Sequence, residues 1–159
     1  MINHSKHDSS RRSFLILAGG ALTAFSFPAG ISLAAAEDPT RLFNEIRKAH
    51  GLPDMATDTK LEAAALFQAR LMASHQKISH SVGWGNSFGA RIKKAGIRGP
   101  AAENLAAGQT STKAAFDAWM KSPGHRRNML DPIFSRYGLA WATPENKPHY
   151  IYWAMIFGT

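Results

Sequence analysis

The spacing of apolar residues changes period partway along this chain, and that change constrains the fold more than any other feature. Over residues 38–130 the apolar side chains recur at helical intervals. Over residues 136–157 they crowd into two aromatic-rich runs around a polar turn. Positions three or four apart share a helix face, whereas alternate positions share a strand face. Helices grouped early and strands late predict an α+β fold with a small antiparallel sheet between helical layers.

Local signals place the elements. Asp38-Pro39 reads as a helix cap followed by proline in the first turn, ahead of Leu42, Phe43, Ile46 and Ala49, with Gly51 and Pro53 placed to end that helix. Thr59-Lys60-Leu61-Glu62 fits a capping box, and Leu61, Ala64, Ala65, Gln68, Leu71 and Met72 trace one face behind it. Phe88, Ile92 and Ala95 predict a short third helix stopped by Gly96. Ser111 or Thr112 caps a fourth, bearing Ala115, Trp119 and Met120; Pro123-Gly124 ends it, and a helical turn follows over residues 125–130. Residues 136–141 and 150–157 then read as an antiparallel pair, and residues 101–107 supply a third strand. Trp119, Trp141, Trp153, Tyr152 and Phe157 read as core.

The 159 residues are 45% apolar and 19% charged, as globular domains are, which excludes a disordered or collagen-like chain. That length suits one core. Cysteine is absent, so no disulfide, iron–sulfur cluster or thiolate zinc site can form. Packing alone must hold the fold, and any metal must rest on His, Asp, Glu or backbone oxygen.

Residues 1–36 read as an export signal. Ser10-Arg11-Arg12-Ser13-Phe14-Leu15 is a twin-arginine pattern, the following apolar run contains Gly19, Gly20 and Pro28, and Ala34-Ala35-Ala36 offers an A-x-A cleavage site. The unbroken apolar stretch falls short of the ~20 residues a bilayer requires. The expectation is a single domain over residues 37–159, without a transmembrane span, delivered to the periplasm or beyond. Removing Lys6, Arg11, Arg12 and Asp8 with the signal leaves 16 basic and 10 acidic residues, a charge of +6. Such a charge attracts polyanions. Export and the lack of a recognition motif argue against nucleic acid, which leaves an anionic envelope component or lipid as partner for a chain expected to be monomeric. Lys93-Lys94 reads as solvated helix surface. Arg126-Arg127 falls in the first turn of a short helix, where positive charge is mildly unfavourable, and so suggests an acidic partner, either within the fold or on a ligand.

Three constellations could carry chemistry. Gly85-Asn86-Ser87-Phe88-Gly89 matches a G-x-S-x-G nucleophile elbow, but no buried strand precedes it, and Ser87 reads better as a helix cap. Ser122 and His125 stand three apart in Ser122-Pro123-Gly124-His125, with no third group to orient the imidazole. The third set is long-range: His80, Glu103 and His125. Glu103 lies in an apolar, small-residue stretch, where its charge is costly unless paired. Two imidazoles and a carboxylate are the ligand set of an open zinc site. Spacing alone does not single these three out, since residues 37–159 also hold His50, His75 and His149.

Five strings occur in a telling order. They are His80-Ser81, Phe88-Gly89-Ala90-Arg91-Ile92, Ala102-Glu103-Asn104-Leu105-Ala106-Ala107-Gly108, a stretch from Ala118-Trp119-Met120-Lys121-Ser122 through Pro123-Gly124-His125-Arg126-Arg127-Asn128-Met129-Leu130, and Tyr152-Trp153-Ala154-Met155-Ile156-Phe157-Gly158. Together they resemble the CAP superfamily of cysteine-rich secretory, antigen 5 and plant pathogenesis-related proteins, in its bacterial SCP-like form. The resemblance covers about residue 40 to the C-terminus. It implies an α-β-α sandwich with a solvent-open cleft holding two histidines and two acidic residues, where some members bind zinc or another divalent ion. By motif position His80 is the first histidine, Glu103 the first acid and His125 the second histidine. The second acid, three residues after the tryptophan, is replaced here by Ser122. That change removes a negative charge and a proton acceptor from the set.

Two function classes follow. One is a non-enzymatic envelope-binding module whose cleft, lined by His80, Glu103, Ser122 and His125, holds a small ligand or a divalent metal, zinc above all. The other is a metal-assisted, protease-like hydrolase using an ion on His80, Glu103 and His125. Fold membership does not confer chemistry, and the incomplete acid–base set favours the binding module.

Overall fold

The computed structural model describes residues 38–159; the expected signal over residues 1–36 lies outside them. Nine elements follow in order. Helix α1 (Pro39–Ala49) opens under the Asp38 carboxylate, which accepts from the Thr40 amide at 2.9 Å. Strand β1 is Ala56–Thr57 and helix α2 is Thr59–His75. The cap of α2 lies one residue before the expected box: Asp58 accepts from the amides of Lys60 and Leu61. Helix α3 (Phe88–Lys94) is capped by Ser87, so the G-x-S-x-G serine is engaged with the Ala90 amide in a helix start. Strand β2 (Ala101–Ala107) precedes α4 (Thr112–Lys121), which Ser111 caps. Helix α5 (Pro123–Leu130) begins at the Pro-Gly pair expected to act as a stop, because proline fits the first turn as well as it ends a helix. Strands β3 (Arg136–Ala142) and β4 (Tyr152–Gly158) complete the chain.

The sheet order is β1-β3-β4-β2. β4 pairs antiparallel with β3 and with β2, as the late hairpin and the expected third strand require. The two-residue β1 adds a parallel edge on β3, so the sheet is mixed where an antiparallel one was expected. β4 is buried along its whole length, because both faces are covered. Trp153, Met155 and Phe157 point into one core with Phe43, Phe116, Trp119 and Met129 from α1, α4 and α5. Tyr152, Ala154 and Ile156 point into the other, against Leu61, Ala65, Ala69 and Met72 of α2. This is an α-β-α sandwich.

Two contacts fix the layers closely. A side chain at Gly138 would run into the backbone of Leu61 and Glu62, so the start of α2 lies directly on β3. On the opposite layer the buried Arg47 donates to the carbonyls of Pro53, Met129 and Asp131, tying the end of α1 to the end of α5. Trp141 departs from the core expectation. It is 51% exposed near the end of β3, with its ring tilted 5.4 Å from that of Trp153.

Candidate functional site

Two consecutive residues of β2 organise the site. β2 is an edge strand, and successive side chains leave a strand on opposite faces. Glu103 therefore turns toward the α2–α3 layer and Asn104 toward the α4–α5 layer. Asn104 donates to the carbonyl of His125 at 3.0 Å and accepts from Asn128 at 2.9 Å, which pins the start of α5 to the sheet. A few residues on, the Trp119 indole donates to the Leu105 carbonyl at 2.9 Å and anchors α4 to the same strand.

Glu103 is buried, with its side chain only 1% exposed, and both of its oxygens are engaged. Oε1 accepts from the Arg91 guanidinium, itself 2% exposed. Oε2 accepts from Nδ1 of His80 at 2.8 Å. A carboxylate cannot donate, so the His80 proton sits on Nδ1 and Nε2 is the ring's free acceptor. Arg91 also donates to the carbonyls of His80 and Asn86, at 2.9 and 2.8 Å, and so fixes the loop that carries the histidine. The expected pairing of Glu103 is thus met by a residue the motif reading quoted without a role. The signal was present: a carboxylate in an apolar strand demands a cation, and Arg91 lies on the buried side of a short helix.

His80 is solvent-facing, with 56% of its side chain exposed. His125, on α5, is partly buried. Burial holds its pKa below the usual histidine value, and the nearby His80 charge lowers it further. The two imidazoles thus lie within electrostatic reach, reached from opposite layers of the sandwich around the β2 edge. Glu103 joins them through His80. Ser122 stands where α4 ends and α5 begins; its carbonyl accepts from the Arg126 amide at 2.8 Å, and its hydroxyl makes no cap bond.

Among the described residues no three His, Asp or Glu side chains converge as a ligand cluster. Arg91 and His80 engage both oxygens of Glu103, which orients His80 from behind as a carboxylate does for a metal-binding histidine. His80 and His125 fit as ligands, being two imidazoles with at least one free ring nitrogen. Within the fold, the side chain of Arg126 meets an imidazole, His50 Nε2 at 3.3 Å. Because α5 begins at Pro123, Arg127 falls in its last turn, where positive charge is favourable.

Residues 40–157 match the profile of the cysteine-rich secretory protein family, CAP. The chain belongs to that family. Protein YkwD of Bacillus subtilis (strain 168) is 32% identical over 126 residues, which make up 75% of this chain but 46% of the Bacillus protein. This chain therefore spans about half the length of that relative. An extracellular SCP-domain protein of Bacillus anthracis superposes with a TM-score of 0.65 at 28% identity, over 75% of this chain and 38% of the other. An outer surface protein of Borrelia burgdorferi shares the fold, with a TM-score of 0.67 at 22% identity, over 76% and 88% of the two chains. No helix among the described residues is long and apolar enough to cross a membrane.

Proposed function

We propose that this CAP domain is an exported, non-enzymatic binding module of the bacterial envelope, with the His80–His125 cleft as its ligand site. The state of Glu103 carries the reading. A general base needs a carboxylate oxygen free to take a proton from substrate, and both oxygens of Glu103 are held by Arg91 and His80. Ser122 stands where a second acid would serve. What the cleft offers is two imidazole edges backed by a rigid, buried ion pair. That suits holding a ligand or ion more than turning over a bond. The +6 charge of residues 37–159 directs the search to anionic lipid, lipopolysaccharide or cell-wall polymer. The extracellular and outer-surface descriptions of the Bacillus anthracis and Borrelia proteins, with the twin-arginine pattern, support export.

The test is retention on isolated envelope fractions and anionic vesicles at physiological salt, comparing wild type with His80→Ala/His125→Ala. Wild type is expected to be retained and the double variant released more readily. Equal behaviour of both proteins removes the cleft from the reading, and no retention of wild type removes the reading itself.

The pairing of a Glu103-oriented His80 with a neutral His125 favours a second reading, a divalent ion on the two imidazoles. Such an ion, when bound, supplies Lewis acidity and an activated water, the basis of the metal-assisted hydrolase alternative. Calorimetric titration with zinc on wild type and His125→Ala tests occupancy; chelator-sensitive cleavage of casein or envelope substrates tests the hydrolase. Equal zinc binding, or none, in both proteins ends the metal reading.

A further inference from the structure

A hollow of about 490 Å3 lies between the C-terminal end of α2 and the turn joining β3 to β4, and it shares no lining residue with the histidine cleft. That volume is within the range of small-ligand sites, about 300–1,000 Å3. Its polar lining comes from Arg70, Ser74 and Gln76 on one side and Thr143, Glu145 and Asn146 on the other.

Two features separate it from an ordinary surface dip. First, Arg70 and Glu145 line the same hollow yet make no ion pair with each other or with any other described residue. A guanidinium and a carboxylate facing one space without neutralising each other present two opposite charges to whatever enters. Second, the wall between them is held by Gln76, the one non-glycine residue with positive φ among those described, at +48°. Its side-chain amide donates to Asn146 at 3.2 Å and links the end of α2 to the turn. That left-handed conformation is the C-cap of α2, with the Gln76 amide donating back to the Ala73 carbonyl, so the helix end fixes where the side chain reaches the turn.

We infer that this hollow binds a short zwitterionic peptide with both termini free, its carboxylate on Arg70 and its ammonium on Glu145. The guanidinium fork matches a carboxylate in two parallel hydrogen bonds. The ammonium is favoured by Glu145 and by the carbonyl end of α2, which carries partial negative charge. The amides of Gln76 and Asn146 and the hydroxyl of Thr143 supply donors and acceptors suited to a peptide unit between the termini. The reading is independent of what the histidine cleft binds.

The probe is the dipeptide Ala-Ala, followed by amide chemical shifts of the isotope-labelled protein and by calorimetry. Binding should shift the signals of Arg70, Gln76 and Asn146. It should weaken at least about tenfold when the peptide is N-acetylated or C-amidated, since each change removes one charge-assisted contact. Arg70→Gln should erase the preference for a free carboxylate but keep that for a free amine, and Glu145→Gln should do the reverse. Both positions are exposed, so neither variant threatens the fold. His80→Ala/His125→Ala should bind Ala-Ala as wild type does, which separates this site from the cleft. Equal affinity for free and blocked peptides, unchanged preferences in both variants, or no shifts around Gln76 at millimolar Ala-Ala would each overturn the inference.

Discussion

At Glu103 a single buried carboxylate joins an arginine to a histidine, and the arrangement is useful only while all three are present. Arg91 and Glu103 are both almost fully enclosed, so removing one charge strands the other in a poorly polarisable interior. Glu103→Gln should therefore lower stability by about 3–5 kcal/mol in urea denaturation. Pairing it with Arg91→Met should recover a good part of the loss, because the stranded cation is gone. A loss of under about 1 kcal/mol in the single variant would show the pair to be solvated. His125 gives the second prediction at this scale. Its pKa is lowered in the folded state, by burial first and His80 second, so on acidification the unfolded chain takes up this proton before the folded one. The contribution is complete above the unfolded value of about 6.5. It is withdrawn as pH falls through that value and levels off below the folded pKa. In metal-free protein, stability should decline below about pH 6.5, and His125→Asn should flatten that decline. Direct titration of the His125 ring by NMR checks the sign.

The elements explain why the site sits where it does. β2 has a neighbour only on one side, and its Glu103-Asn104 pair sends one polar group into each helical layer. Each layer is thereby tied to the strand edge around which the imidazoles approach. The opposite edge of the sheet depends on closeness rather than polarity. α2 starts against β3 at Gly138, with no room for a methyl group between helix backbone and strand. Gly138→Ala should cost about 1–3 kcal/mol or more as α2 is pushed off the sheet, read as a lower urea midpoint. A wild-type midpoint would mean that α2 does not lie this close. The caps were legible because they are local: Asp38, Ser87 and Ser111 each accept from an amide two or three residues on. The cap fell one residue before Thr59 because the Asp58 carboxylate takes the Lys60 and Leu61 amides while the Asp58 amide donates to the Tyr137 carbonyl of β3.

For the whole molecule, net charge is the property that acts at a distance. An excess of +6 on residues 37–159 produces attraction to anionic surfaces that falls within about 8 Å at physiological ionic strength. Retention on anionic vesicles should fall steeply between 50 and 500 mM salt, roughly in step with screening. Retention unchanged across that range would assign binding to apolar contacts or to the cleft instead. Two of the relatives extend well beyond the matched domain, which spans 46% of YkwD and 38% of the Bacillus anthracis protein, whereas it spans 88% of the Borrelia protein.

The sequence alone determined the helices, the late hairpin and the need to neutralise Glu103, because periodicity, capping and the cost of a buried charge act on neighbours. Tertiary structure decided which residues answered those needs. The partner of Glu103 is twelve residues upstream, and nothing local to either residue joins that arginine to that carboxylate. The parallel edge at Ala56–Thr57 is too short to leave a period. Trp141, apolar and on a strand, is nonetheless half exposed near the end of β3. A carboxylate can require a cation from its surroundings, but only the path of the chain determines which cation arrives.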